Sequence, residues 1–144
     1  VKSDMPHQSA CSFCNLDTST VLTANDHAIA IPDGFPISLG HTLIIPRRHI
    51  VSFFDATREE QAALLDLLAE VRERLLNPPR PPFAKGGSLP LPDGFNIGIN
   101  DGAAAGQTVM HLHIHLISRY AGDMPDPRGG VRLIFPDKAA YWEK

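Results

Sequence analysis

Long apolar runs are missing from this 144-residue chain, and no stretch approaches the roughly 18 residues of a membrane span. Cysteine is scarce, with two residues in all, which excludes a disulfide-rich scaffold. An excess of one charge is also lacking: 13 basic residues stand against 16 acidic ones, for a net charge of −3. Arg47-Arg48 is the one adjacent basic pair, so no broad surface for a nucleic-acid polymer is expected. The opening VKSDMPHQSA has no apolar stretch of the secretory kind, and a cytoplasmic location is the expectation. No internal repeat is visible. What is present is ordinary globular usage, 43% hydrophobic and 20% charged. At this length a single domain over residues 1–144 buries roughly 68–70% of its unfolded surface.

One helix is clear. Thr57 and Glu60 stand in capping-box spacing, and Leu64, Leu68, Val71 and Leu75 follow at i, i+4, i+7 and i+11. The pattern predicts a helix over residues 58–76, with Leu65 and Leu67 broadening its apolar stripe. Asn77-Pro78-Pro79 ends it, because proline has no amide donor and clashes with the preceding turn. The segment 77–94 carries six of the thirteen prolines and reads as a long exposed loop within one domain. Strand candidates flank this region: residues 28–31 and 42–46 before it, and 95–99, 108–118 and 131–135 after it. Strands, a long helix and strands again predict an α+β fold, an antiparallel sheet of about five strands packed on that helix.

The richest stretch is Val109 to Ile117. Met110, Leu112, Ile114 and Leu116 alternate with His111, His113 and His115. On a strand the even residues make an apolar face directed at the helix, and the odd face carries imidazoles about 6.7 Å apart. An exposed polar face, a metal site using an H-x-H pair, and a nucleophilic histidine with flanking helpers are the three readings. The surroundings favour the nucleophile. Asn100-Asp101-Gly102 marks a turn, and Gly106 precedes the strand where backbone amides could face a phosphate.

At these residues the sequence resembles the histidine-triad (HIT) family, whose signature of three histidines alternating with apolar residues is met by His111-Leu112-His113-Ile114-His115-Leu116-Ile117. The resemblance extends to Asn100, to Gly106-Gln107-Thr108, to Gly40-His41-Thr42-Leu43 with Pro46, and to Asp33 eight residues before His41. It implies a HIT-like fold, a homodimer, and nucleotidyl chemistry. His113 would be the nucleophile on the α-phosphorus of a nucleoside phosphate derivative, with water resolving the nucleotidyl-histidine. Asn100, Gly106, Gln107, Thr108 and His115 would surround the phosphate. Asp33, otherwise a turn former before glycine, would accept hydrogen bonds from the ribose hydroxyls. Ile31 beside it could contact the base.

Cys11-Ser12-Phe13-Cys14 is a C-x₂-C, which alone fits zinc, a redox pair or coincidence. Nothing around it has the βαβ setting of a redox pair. The resemblance implies a structural zinc held by Cys11, Cys14, His49 and His111, although His7 or His41 could replace one ligand. Arg119, Arg128 and Arg132 could reach a polyphosphate or acyl leaving group, or lie solvated at the surface. Tyr141 and Trp142 could pack on the sheet or at a subunit interface.

The function implied is a nucleotide hydrolase acting on dinucleoside polyphosphates or nucleoside phosphoramidates. A nucleotidyltransferase or phosphorylase of the same superfamily is the alternative. From a different class, a nucleotide-binding interaction module with incidental activity also fits. Three intact histidines weigh against that last reading, and a histidine at position 115 weighs against the sugar-phosphate transferase branch, which has glutamine there.

Overall fold

Helix α1 (Arg58–Leu76) is the spine of the fold in this computed structural model, which describes residues 10–78 and 90–144. Its start is fixed by a reciprocal cap. The Glu60 amide donates to Thr57 Oγ1 at 3.1 Å, and the Thr57 amide donates to Glu60 Oε1 at 2.9 Å. Glu60 is buried and meets Arg48 through two guanidinium hydrogen bonds, which ties the cap to the segment before it. Leu64, Leu67 and Val71 are buried, and Leu68 and Leu75 pack at the edge of the same cluster. Leu65 does not broaden the stripe: it is 53% exposed, because it lies on the side of the helix turned from the sheet.

The helix packs on one face of a five-stranded antiparallel sheet in the order β1 (Thr23–Ala24), β2 (Ala28–Pro32), β3 (Thr42–Pro46), β5 (Ile114–Arg119), β4 (Gly94–Gly98). The β1–β2 turn is closed by Asn25, whose side-chain oxygen accepts from the amides of His27 and Ala28. Ala28, Ala30, Ile44, Ile114 and Leu116 face the helix and form the main core with it. Ile31, Leu43 and Ile45 face the other way and are covered by Phe13, Leu16 and Val21 of the N-terminal arm. The arm covers the β2–β3 half of this second face. The β5–β4 half stays open, and the functional groups lie there.

Two predicted strands differ from the structure. The histidine strand begins at Ile114, so residues 108–113 lie outside the ladder and bend over 109–111. Met110 is accordingly 43% exposed and does not join the core, whereas Leu112 is fully buried. Residues 131–135 are not a strand: Gly130–Ile134 is a 3-10 helix. Gly129 before it and Gly130 at its start have φ of +92° and +49°, left-handed values that glycine adopts readily. Its place in the strand count is taken by the short β1, which the sequence pattern did not announce. Most of the proline-rich segment, residues 79–89, lies outside the described residues. Among the described residues, no helix is long and apolar enough to cross a membrane.

Candidate active site and metal cluster

The bend before β5 sets His111 beside the N-terminal arm. Its Nδ1 lies 3.5 Å from Cys11 Sγ, 3.6 Å from Cys14 Sγ and 3.1 Å from His49 Nδ1, and Cys14 Sγ lies 3.3 Å from His49 Nδ1. Bonds of about 2.0–2.1 Å to nitrogen and 2.3 Å to sulfur around a tetrahedral centre put ligand atoms roughly 3.3–3.8 Å apart. The four atoms already stand near those separations and converge on one point. His111 Nε2–H donates to the Pro46 carbonyl at 2.9 Å, which leaves the Nδ1 lone pair directed inward. Burial, with the neighbouring His49 and His113 adding to it, lowers the His111 pKa and favours the neutral ligand form. Two thiolates and two imidazoles are a structural zinc donor set, closed to substrate. His41 is not part of this group, and His7 lies outside the described residues.

The triad follows directly. His113 Nδ1–H donates to the backbone carbonyl of His111 at 2.9 Å, so its Nε2 carries a free lone pair. The ring of Phe13, from between the two cysteines, stands edge-on to His113 at a centroid distance of 5.3 Å. His115 lies beyond, its ring centroid 5.1 Å from that of His113.

His115 has a fourth histidine beside it. The β3–β5 register sets Leu43 opposite His115, and His41, just before β3, reaches across. The Ile37 amide donates to His41 Nδ1 at 3.3 Å, so the neutral ring carries its proton on Nε2. That Nε2 lies 3.0 Å from His115 Nδ1 and 3.3 Å from Asp33 Oδ2. These three residues could in distance alone hold a metal. The amide on Nδ1 argues that a proton occupies the gap instead. His115 Nδ1 then accepts, and its own proton sits on Nε2, facing the open side of the sheet. Burial lowers the pKa of His41 against the pull of Asp33. Burial also lowers that of His115, with His113 and His41 adding to the effect.

A cavity of about 1030 Å³ opens over β5 and β4, and Asp33, Asn100, His41 and His115 are among its lining residues. Asp33 Oδ1 accepts from the Phe35 amide at 2.7 Å, which shapes the loop that walls this cavity. Gly106 has φ of +91°, a left-handed turn suited to glycine that leads into Gln107 and Thr108.

The HIT domain profile matches residues 16–122. The chain belongs to the histidine-triad family. Among its relatives is an uncharacterized HIT-like protein of Mycoplasma genitalium, 36% identical over 78% of this chain and 74% of the relative. Another is an adenylylsulfatase of Arabidopsis thaliana, 32% identical over 81% of this chain and 55% of the relative. A zinc-bound histidine-triad protein from Mycobacterium smegmatis superposes with a TM-score of 0.61 at 34% identity, covering 81% of this chain and 80% of that one. A histidine-triad nucleotide-binding protein from Sulfolobus tokodaii gives 0.62 at 30% identity, covering 81% and 73%.

Within this HIT domain nothing in the sequence signalled the contact between His41 and His115 or that between Phe13 and His113. Phe13 carried no signal of its own, and His41 stood out as part of the family resemblance and as an alternative zinc ligand, not as a partner of His115. Gln107 is buried with its amide fully engaged. Its Oε1 accepts from Gly102 N at 2.8 Å, and Nε2 donates to the carbonyls of Val51 and Val109. Its side chain therefore braces the loop that carries Gly102 and Val109, while Thr108 and Asn100 are exposed. Arg128 pairs with Asp126 and lies over Trp142, and Arg132 lies over Tyr141 and donates to the carbonyls of Lys138 and Ala139. Both arginines thus fold the C-terminal segment onto itself.

Proposed function

We propose that this HIT protein is a nucleotide hydrolase working through a nucleotidyl-histidine. His113 Nε2 attacks the α-phosphorus of a nucleoside phosphate derivative. The new N–P bond forms as the bond to the leaving group breaks, and His115 Nε2–H gives its proton to the departing atom. Water then attacks the phosphorus, passes a proton back to His115, and releases the nucleoside monophosphate and free His113. Asn100, Thr108 and the backbone at Gly106 and Gln107 would steady the charged oxygens, and Asp33 the ribose. The zinc supplies a structural clamp for the arm, and no step passes through it.

The observation that carries this reading is the pair of opposite tautomers. His113 is held with its Nε2 bare, and His115 with a proton on Nε2. One imidazole is thus prepared as a nucleophile and its neighbour as a donor. The relative from Arabidopsis, an adenylylsulfatase, supports attack on an adenylyl phosphorus as a chemistry open to this family. The test is a rapid quench of the zinc-loaded protein with adenosine 5′-phosphoramidate or a diadenosine polyphosphate, followed by mass spectrometry without acid. A nucleotidyl adduct on His113 is expected. Full turnover by a folded His113→Ala would overturn the mechanism, and products formed by phosphate in place of water would identify a phosphorylase.

A further inference from the structure

The sulfur side of the metal cluster lies toward the surface. Cys11 and Cys14 are each half-buried, whereas His49 and His111 are buried. A small oxidant therefore meets the sulfurs before the imidazoles. The turn that carries them is fixed through its backbone. The Cys11 carbonyl accepts from the Cys14 amide at 3.2 Å and from Asn15 Nδ2 at 2.8 Å. A turn of this kind holds its end Cα atoms within about 7 Å, the reach of a disulfide. The two Sγ atoms lie within 4.8 Å of each other. A bond between them asks for side-chain rotation inside one turn, with no distant segment to bring in.

A sulfur that coordinates zinc is a thiolate, the form that attacks an oxidant. Cysteines that respond to oxidation combine thiolate character, access, and a neighbouring cysteine that resolves the first product. All three meet in this turn. The pair lacks the βαβ setting of an exchange enzyme, which fits a dithiol that responds to oxidant and does not turn over disulfides.

Phe13 connects this turn to the reactive ring. It sits between the two cysteines, and its ring centroid lies 5.9 Å from that of His111 and 5.3 Å from that of His113, both nearly perpendicular. His111 in turn offers its carbonyl to His113 Nδ1–H at 2.9 Å. A change at residues 11–14 thus reaches His113 by two routes, one through Phe13 and one through His111.

We infer that Cys11 and Cys14 form an oxidation site for hydroperoxides, closing to a disulfide that releases the zinc and loosens Phe13 and His111 from His113. One thiolate attacks the peroxide: an S–O bond forms, the O–O bond breaks, and the departing oxygen takes up a proton and leaves as water. The second thiolate attacks that sulfur. The S–S bond forms, the S–O bond breaks, and the oxygen leaves as water with a second proton. The peroxide gains the two electrons that the sulfurs lose. Both negative charges of the donor set are then gone, and two imidazoles alone fall short of the four ligands of a structural zinc. The effect on turnover rests on the nucleotidyl reading above, while the oxidation itself does not.

The test treats the zinc-loaded protein with hydrogen peroxide at a dose that fully oxidises free glutathione. Peptide mass mapping, zinc released to a chelating dye, the His113 Nδ1–H proton resonance and kcat for adenosine 5′-phosphoramidate are then followed. One Cys11–Cys14 disulfide should form per zinc released, and the His113 resonance should shift or broaden. The kcat should fall by about tenfold or more, the scale on which groups surrounding a metal site act. Reductant with added zinc should restore the starting values. Cys14→His keeps four donors without a second sulfur, so it should hold zinc through the treatment, with the same kcat before and after. Intact thiols, sulfinic acids in place of the disulfide, zinc retained after the disulfide forms, or an unmoved His113 resonance would overturn the inference. So would an equal loss of kcat in Cys14→His. A wild type with no turnover before oxidation would remove the nucleotidyl reading alone, and the masses, zinc and resonance would still decide this one.

Discussion

The backbone carbonyl of His111 accepts the Nδ1–H of His113 at 2.9 Å, while the side chain of His111 belongs to the metal cluster. One residue thus joins the metal-ligand cluster through its side chain and sets the tautomer of His113, two positions along, through its carbonyl. Phe13, suspended between Cys11 and Cys14, adds an edge contact to the same imidazole. The metal cluster and the reactive ring share a wall.

This coupling gives the first prediction. Protein purified without added zinc should carry close to one equivalent per chain, and Cys14→Ser should carry much less. The variant should melt lower, because metal binding contributes folding free energy. It should also lose kcat, since His111 and Phe13 are no longer held against His113. Metal analysis with melting and kinetics checks this. Less than a tenth of an equivalent in the wild type, with melting unmoved by chelation, would contradict it.

His41 gives the second. Its Nε2–H toward His115 Nδ1 keeps the His115 proton on the side facing the cavity. Replacing His41 with alanine should slow substrates with a basic amine leaving group by about 10²-fold, the lower range for general acid catalysis. Substrates whose leaving group needs no proton should slow far less. A plot of rate against leaving-group pKa for both proteins is the measurement, and parallel lines would refute the relay.

The third concerns the ribose. If Asp33 accepts from the sugar hydroxyls, deoxyribose substrates should lose about 1.5–3 kcal/mol, the value of hydrogen bonds to a charged group. That is roughly 10- to 150-fold in kcat/KM. Asp33→Ala should erase most of this difference. It should also lower stability, because Asp33 Oδ1 accepts from the Phe35 amide and Oδ2 faces His41. Ribose preference retained in a destabilised variant would make Asp33 a turn former alone.

A fourth prediction follows from the lowered pKa values of His41 and His115, caused first by burial. For His115 the charges of His113 and His41 add to it, and Asp33 opposes it at both. Both rings are neutral in the folded protein where the unfolded chain would begin to take up protons, near pH 6.5. Their contribution to stability is therefore complete above that pH and is lost as the pH falls from 6.5 toward the lowered folded values. Denaturant titrations between pH 8 and 5 should show this decline in the wild type and less of it in His41→Gln. Identical profiles would assign the acid sensitivity elsewhere.

Assembly is the fifth. Strand β4 ends the sheet order, and Ile97 on it is 47% exposed. An open edge of this kind gains from pairing with a second copy across a two-fold axis. Light scattering should give twice the 15.7 kDa chain mass, and Ile97→Lys should shift the protein toward monomer. A wild-type mass near 15.7 kDa at micromolar concentration would exclude the dimer.

The sequence by itself determined the parts governed by near neighbours. Thr57 and Glu60 fix the start of the helix through bonds three residues apart, and Asn77 with the prolines fixes its end. The alternation of Leu112, Ile114 and Leu116 with the histidines announced which side chains would meet the helix, because successive residues of an extended chain point to opposite sides. The family signature carried the cysteines to His49 and His111. Only the tertiary structure decided what depends on register and on distant partners. Leu43 opposite His115 brings His41 into the triad, a pairing 72 residues apart in the chain that no local pattern encodes. The ladder begins at Ile114, paired with Ile44 on β3, while the Leu112 amide donates to the Ile50 carbonyl and His111 reaches the arm. Gln107 became a loop brace because Val51 and Gly102 surround it, and residues 131–135 leave the strand conformation where Gly129 and Gly130 take left-handed φ. Leu65 likewise meets solvent because the sheet packs on the face that holds Leu64, Leu67 and Val71.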